Sequence, residues 1–314
     1  MAEPERILFF GTPQFAYQIL EQIDEDPEID IAGVVTAPDK PVGRKQILTS
    51  SPVKTFAVQH QIPVYTPDRV NSEQFLTTLS ELVFDAIVVA AYGSILSPQF
   101  LNIAGPRPVI NVHPSLLPKY RGPAPIQAAL AAGDETTGVT LIEMDEHMDH
   151  GPILSQEEIP IYPDETIDDL EPRLADLSTT LLSRDLPTHV DHGTDSVVST
   201  PQAHEEATFT SFVTKEDGRI DWSASAEDIY NMYRAYKRWP GVFTYMNDQK
   251  IALDDLALGD ANSSLAPGDV QLSQDVLRVG TGTGDILVGS LKPAGKQFMD
   301  AATFMNGYNV KQFS

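Results

Sequence analysis

Between residues 6 and 113, short β-branched apolar runs alternate with stretches of helical periodicity, and that alternation leaves few folds open. Arg6-Ile7-Leu8-Phe9-Phe10, Ile31 to Thr36, Pro63 to Tyr65, Ala86 to Ala91 and Pro108-Val109-Ile110 read as strands. Phe15 to Ile23, Pro52 to His60 and Ser72 to Leu82 read as helices, the first entered through Gly11-Thr12-Pro13 with proline at the helix start. A strand–helix–strand rhythm of this kind predicts a mostly parallel, doubly wound α/β sheet. Further on, Ala124 to Ala132 reads as a helix, Gly138 to Met144 and Pro152 to Ile159 as strands, and Ile167 to Leu182 as a closing helix. The first domain is therefore expected to span residues 1–186.

From Pro187 to Ser211 the apolar pattern lapses into Thr, Asp, Ser, His and Glu, which is linker composition. Residues 212–314 read as a second domain. It has one helix over Ala226 to Tyr236 and short strands at Val242 to Met246, Ile251 to Leu256, Gly268-Asp269-Val270, Val276 to Val279 and Ile286 to Ser290. Several short strands at regular spacing predict a small β-barrel.

Three compositional facts bound the function. The 314 residues contain no cysteine, which excludes disulfides, thiolate metal ligands and a thiol nucleophile. No apolar run approaches the roughly 18 residues that a membrane helix needs, and Met1-Ala2-Glu3-Pro4-Glu5-Arg6 lacks the basic and apolar regions of a signal peptide, so a cytoplasmic protein without a membrane partner is expected. The net charge is −24, and it is uneven: residues 1–210 hold 11 Lys and Arg against 32 Asp and Glu, whereas residues 211–314 hold 10 against 13. A surface of this sign is well solvated and argues against unspecific nucleic-acid binding.

The Val109 strand runs into Asn111-Val112-His113-Pro114. Side chains two apart on a strand share a face, so Asn111 and His113 project together from the carboxyl edge of the sheet, where ligands bind in open α/β folds. Nucleotide motifs are missing: no G-x-G-x-x-G follows the first strand, and no G-x-x-x-x-G-K-[ST] occurs anywhere. Asp145-Glu146-His147-Met148-Asp149-His150 gathers three acids and two histidines after another strand. Its residue types suit a solvated acidic loop, a metal site, or an acid that works with His113.

Several segments together resemble the methionyl-tRNA formyltransferases. They are Phe9-Phe10-Gly11-Thr12-Pro13, Pro38 to Arg44, Ser51-Pro52-Val53-Lys54, Ala90-Ala91-Tyr92-Gly93, the block Asn111 to Gln127, and Met144-Asp145 through Asp149-His150-Gly151. In the second domain, Arg219-Ile220-Asp221-Trp222, Arg234-Ala235-Tyr236 with Trp239-Pro240, and Lys292 to Lys296 are similar to that family's C-terminal domain. Each fragment is weak alone, and their order along nearly the whole chain is specific.

The resemblance implies a Rossmann-like formyltransferase domain followed by an OB-like, tRNA-binding barrel. It implies formyl transfer from 10-formyltetrahydrofolate, as co-substrate, to the α-amine of initiator methionyl-tRNA, by a monomer that uses neither metal nor nucleotide. Position by position, the family's catalytic residues fall on Asn111, His113 and Asp149. An amine attacking a formamide builds a tetrahedral oxyanion, so such a site needs hydrogen-bond donors at that oxygen and a relay for the amine proton. Ser115, Leu116, Leu117 and Pro118 match the segment that lines the family's folate site, and Tyr92 lies at the end of the preceding strand. Acceptor contacts are expected from Arg44, Lys45 and Lys40, in a loop from Ala37 to Lys54 that carries four basic residues against one acid. Lys119 and Arg121 flank the site strand as further phosphate candidates, and Arg278, Lys292, Lys296 and Lys311 are weaker ones. Two rival readings keep part of this pattern: a folate-dependent formyltransferase acting on an amino sugar or other small amine, and a non-catalytic RNA-binding protein.

Overall fold

The computed structural model describes residues 3–43, 45–192, 199–308 and 310–314. The chain divides into two compact units, one of residues 1–125, 137–159 and 171–211, the other of residues 126–136, 160–170 and 212–314.

The first part of the chain builds the expected βα alternation: β1 (Glu5–Gly11), α1 (Gln14–Ile23), β2 (Ile29–Val35), β3 (Lys40–Val42), β4 (Ile47–Thr49), α2 (Pro52–Gln59), β5 (Val64–Tyr65), α3 (Glu73–Glu81), β6 (Ala86–Ala90), α4 (Pro98–Ala104), β7 (Val109–His113), α5 (Pro125–Ala132), β8 (Thr136–Glu143), β9 (Ile153–Pro160) and α6 (Ile167–His192). Seven strands form one sheet in the order β5-β2-β1-β6-β7-β8-β9. The five from β5 to β7 are parallel, and β8 turns back antiparallel on β7. Such a central sheet has both faces covered, which explains the near-continuous burial of β1, β6 and β7. Helix starts follow local chemistry: Ser51, Ser72 and Ser97 each accept an N–H bond at the entry to α2, α3 and α4, and proline occupies the first turn of α2 and α4.

Three features of this part differ from the periodicity, the first being helix α4, which has no expected counterpart. The basic loop contains a two-stranded hairpin, β3 paired antiparallel with β4, because Lys-Pro-Val and Ile-Leu-Thr are too short to register as strands. Helix α6 continues to His192 through Pro172 and Pro187, ten residues past the expected end near Leu182. Leu181, Leu182 and Leu186 carry a buried stripe into that last stretch, and tertiary packing of this kind overrides a local helix breaker.

The second unit adds α7 (Ala226–Tyr236), β10 (Val242–Met246), β11 (Gln249–Leu258), β12 (Val270–Ser273), β13 (Val276–Gly280), β14 (Asp285–Pro293), β15 (Met299–Asp300) and α8 (Ala301–Tyr308). Its strands are antiparallel, ordered β10-β11-β14-β13-β12 with β15 on β14. The hairpins turn on Asn247-Asp248 and Gln274-Asp275, both pairs left-handed, as two-residue hairpin turns require. Among the described residues no ladder joins β10 to β12 and closes the sheet. The core packs α7 and α8 onto the sheet through Trp222, Ile229, Tyr233, Leu253, Val288 and Phe304. Trp222 is fully enclosed there, and its indole N–H donates to Thr244 Oγ1 at 2.9 Å.

Candidate active site

Strand β7 places Asn111 and His113 as expected, adjacent on one buried face at its carboxyl end. Asp149 reaches them from the loop after β8. Asn111 Nδ2 donates to Asp149 Oδ1 at 3.1 Å, and the same oxygen lies 3.6 Å from His113 Nδ1. The other oxygen, Oδ2, accepts the backbone N–H of Gly122 at 2.7 Å. All three predicted side chains therefore meet, with His113 and Asn111 only 4% and 9% exposed.

The tautomer of His113 follows from its second partner. Nε2 is 2.9 Å from the carbonyl oxygen of Tyr120, and a carbonyl only accepts, so Nε2 carries the proton. In the neutral ring Nδ1 then holds a lone pair beside the Asp149 carboxylate. Tyr120 presents that carbonyl from a left-handed backbone, φ 60°. Next to it, Gly122 has φ 112°, and a Cβ there would stand 2.7 Å from the carbonyl oxygen of Thr210. Only glycine fits while its N–H holds Asp149.

The segment after the strand is tightly fixed. Ser115 is fully buried, its hydroxyl donates to the carbonyl of Lys119 at 2.7 Å, and its own carbonyl accepts from Thr140 Oγ1 at 2.6 Å. Thr140 Oγ1 also accepts the N–H of Leu117, and Gln156 Nε2 donates both to Thr140 and to the Leu117 carbonyl. The Pro118 carbonyl accepts from the N–H of Thr208. Leu117 is buried, while Leu116 and Pro118 are half-buried.

Tyr92 sits under the end of β6, buried and edge-on to Phe10 with ring centroids 5.3 Å apart. Burial pushes its hydroxyl pKa up to about 12, so the phenol stays neutral. It forms one wall of a cleft of about 830 Å³, whose other lining includes Lys40, Arg69, Asn71, Ser94 and Ile95.

Lys40 and Lys45 are exposed on the β3–β4 hairpin, together with Val42, Ile47 and Leu48, and Arg44 lies outside the described residues. Lys54 donates to Asp39 at 2.8 Å and holds that carboxyl below the usual range. Lys119 is exposed. Arg121, expected at a phosphate, is instead 4% exposed and spent on Gln202 and His204. Long side chains on short turns fold back wherever a buried acceptor offers more than solvent does.

The acidic loop is internally braced. Asp145 Oδ1 accepts the N–H of His147 at 2.8 Å, and Oδ2 lies 2.6 Å from His150 Nδ1. Ligand atoms of Asp145, His147 and His150 all fall within 4.8 Å of one another, a spacing that a cation can bridge. His150 stacks on His204 with centroids 4.1 Å apart and planes 2° from parallel.

The residues that sequence reasoning missed come from the stretch expected to be linker. Thr208 and Thr210 pair with the backbone of 118–121: Arg121 N–H donates to Thr208 O at 2.9 Å, and Thr210 N–H donates to Arg121 O at 2.7 Å. The alternation Thr208-Phe209-Thr210 is the only local sign of this short extended segment. Gln202, in the same stretch, carries no local signal at all.

Residues 5–186 match the family described as Formyl transferase, and residues 213–309 match Formyl transferase, C-terminal domain. The methionyl-tRNA formyltransferase of Staphylococcus epidermidis is 39% identical over 303 residues, 96% of each chain. That of Caldicellulosiruptor saccharolyticus is 39% identical over 311 residues, 98% of each chain. Among solved structures, an N-formyltransferase from Helicobacter canadensis in complex with folinic acid and dTDP-3-aminofucose superposes with TM-score 0.65 at 18% identity, covering 91% of this chain and 98% of that one. HypX from Aquifex aeolicus in complex with tetrahydrofolic acid superposes with TM-score 0.64 at 13% identity, covering 99% of this chain. The chain spans about half the length of HypX, 49%; these two distant structures show the fold alone. The relatives at 39% identity, matched end to end, settle the family: the chain belongs to the methionyl-tRNA formyltransferases.

Proposed function

We propose that the protein transfers a formyl group from 10-formyltetrahydrofolate to the α-amine of initiator methionyl-tRNA, with Asn111, His113 and Asp149 carrying the chemistry. The observation that carries this reading is the Nε2–H of His113 fixed on the Tyr120 carbonyl, which leaves Nδ1 as the ring's free base beside Asp149. Family membership supports donor and acceptor alike.

The amine nitrogen attacks the formyl carbon, and the carbonyl oxygen takes up negative charge. Asn111 spends one amide hydrogen on Asp149, which leaves the other to donate to that oxygen. Removing a donor of this type costs on the order of 100-fold or more in rate. His113 Nδ1 takes the ammonium proton, and Asp149 at 3.6 Å favours the resulting imidazolium. The same proton then passes to N10 of the folate as the carbon–nitrogen bond breaks, leaving tetrahydrofolate and N-formylmethionyl-tRNA.

Leu116, Leu117 and Pro118 offer the folate rings an apolar wall, and the bonds that fix Ser115 and Leu117 make that wall rigid. Tyr92 closes the neighbouring cleft, where Lys40 and Arg69 supply positive charge. Lys40 and Lys45 bind the acceptor-stem phosphates from the hairpin, whose exposed Val42, Ile47 and Leu48 suit the unpaired end of a helix; Arg44 is the third phosphate contact by sequence. Residues 1–186 act as the catalytic domain, 187–211 as the connection and 212–314 as an OB-like tRNA-binding barrel. Support for a barrel comes from the chain end: Tyr245 and Ser314 exchange two backbone bonds, while Val270 N–H donates to Lys311 O and Phe313 N–H to Gly268 O. The chain end thus bonds to β10 and to the start of β12. The enzyme works as a cytoplasmic monomer. Among the described residues no helix is long and apolar enough to cross a membrane.

The test is formyl transfer from 10-formyltetrahydrofolate to charged initiator tRNA, run beside free methionine and an amino-sugar nucleotide across a range of salt. Transfer to the tRNA alone is expected. Transfer to a small amine in preference to the tRNA overturns the acceptor assignment.

A further inference from the structure

We propose that Gln202, locked by Arg121, is the positioning residue that holds Asp149 at the reacting centre. The inference rests on the catalytic reading above. Gln202 is 5% exposed, and its Nε2 donates to the carbonyl of Asp149 at 3.0 Å and to that of Gly151 at 2.7 Å. Its Oε1 accepts from Arg121 Nε at 3.1 Å and Nη2 at 2.6 Å. A guanidinium only donates, so the amide has a single permitted orientation, oxygen toward Arg121 and nitrogen toward the two carbonyls. Arg121 is itself fixed: Nη2 is 2.8 Å from His204 Nδ1, which must accept.

The two carbonyls bracket His150, so one side chain fixes the whole turn from Asp149 to Gly151. That turn has an uncommon backbone. Asp149 has φ 50°, a left-handed conformation that few non-glycine residues adopt, aspartate among them. At Gly151 a Cβ would stand 1.8 Å from the carbonyl of Glu143, so the backbone is pressed against its neighbour. Without Gln202, the buried Gly151 carbonyl and the part-buried Asp149 carbonyl lose this donor, and Asp149 is free to relax away from Asn111 and from His113 Nδ1. Gln202 touches neither substrate nor reacting atom; it acts through Asp149.

The experiment compares Gln202→Glu and Gln202→Ala in wild-type and Asp149→Ala backgrounds, with kcat, both KM values and melting temperature read for each. Gln202→Glu keeps the partner of Arg121 and the shape of the side chain but offers the carbonyls no donor. In the wild-type background it lowers kcat by about 10-fold or more and leaves the KM for formyl donor and aminoacyl-tRNA within about 2-fold. In the Asp149→Ala background it changes the residual rate by less than about 2-fold, because the group it positions is gone. A wild-type kcat, or an equal loss in both backgrounds, overturns the positioning role. An Asp149→Ala enzyme as active as wild type would instead overturn the catalytic reading beneath it, so the two failures are distinguishable.

Discussion

Asn111 donates its side-chain amide to Asp149 across 38 residues of chain, at 3.1 Å. That bond, and the Gly122 N–H on the other oxygen, mean that Asp149 is held by two donors and approaches His113 from outside hydrogen-bonding distance. The carboxylate serves as a fixed negative charge for the ring, while the Tyr120 carbonyl sets the orientation of the ring.

Asp149→Asn tests that arrangement. A carboxamide has one oxygen, so its amino group must face either Asn111 or Gly122, each already a donor. A buried donor left unsatisfied costs about 1–3 kcal/mol. The variant is expected to melt lower than wild type and to lose about 100-fold or more in kcat. Unchanged melting and activity would show that the carboxylate is dispensable.

Gly122→Ala attacks the same oxygen through the backbone. The left-handed φ and the contact with the Thr210 carbonyl both penalise a methyl group, and the N–H that holds Asp149 moves with any relief. Turnover is expected to fall about 10-fold or more while overall folding, read by circular dichroism, is retained. A fully active variant would show that the turn tolerates L side chains.

The hairpin is expected to govern the acceptor and leave the folate alone. Lys45→Ala should raise KM for aminoacyl-tRNA several-fold and flatten the plot of log affinity against log salt by about 0.7–0.9 units, the share of one lost phosphate contact. KM for 10-formyltetrahydrofolate stays as it was. Equal effects on the two substrates would remove the hairpin from tRNA recognition.

His189 sets a pH dependence for stability. It is buried on α6 with neither ring nitrogen hydrogen-bonded, and burial pushes its pKa down against the partial compensation of Asp185. The unfolded chain therefore binds a proton below about pH 6.5 that the folded one refuses, and stability falls with pH from there. His189→Leu should flatten the fall in urea midpoint between pH 7.5 and 5. A midpoint that falls as steeply in the variant would assign the acid sensitivity elsewhere.

The parallel sheet and the Asn111–His113 pair were legible because a period of two and an apolar run are local signals. Asp149 was legible through resemblance alone, since a loop of acids and histidines suits several chemistries. What holds these residues was not legible. Gln202, Thr208 and Thr210 sit in a stretch whose composition resembles linker, yet they bond to residues 81 to 89 positions earlier. Thr140 and Gln156 act through contacts between strands and the following turn, which periodicity does not encode. Arg121 misled for the converse reason: a basic residue beside the site strand looks like a phosphate ligand until its buried acceptors are known.

The most direct measurement is the single-turnover rate of formyl transfer at saturating 10-formyltetrahydrofolate and initiator methionyl-tRNA, in wild type and in His113→Ala. With binding saturated, the rate reports chemistry alone. A loss of about 100-fold or more, with both substrates still bound, is predicted if Nδ1 of His113 carries the amine proton. A rate within a few-fold of wild type would contradict it.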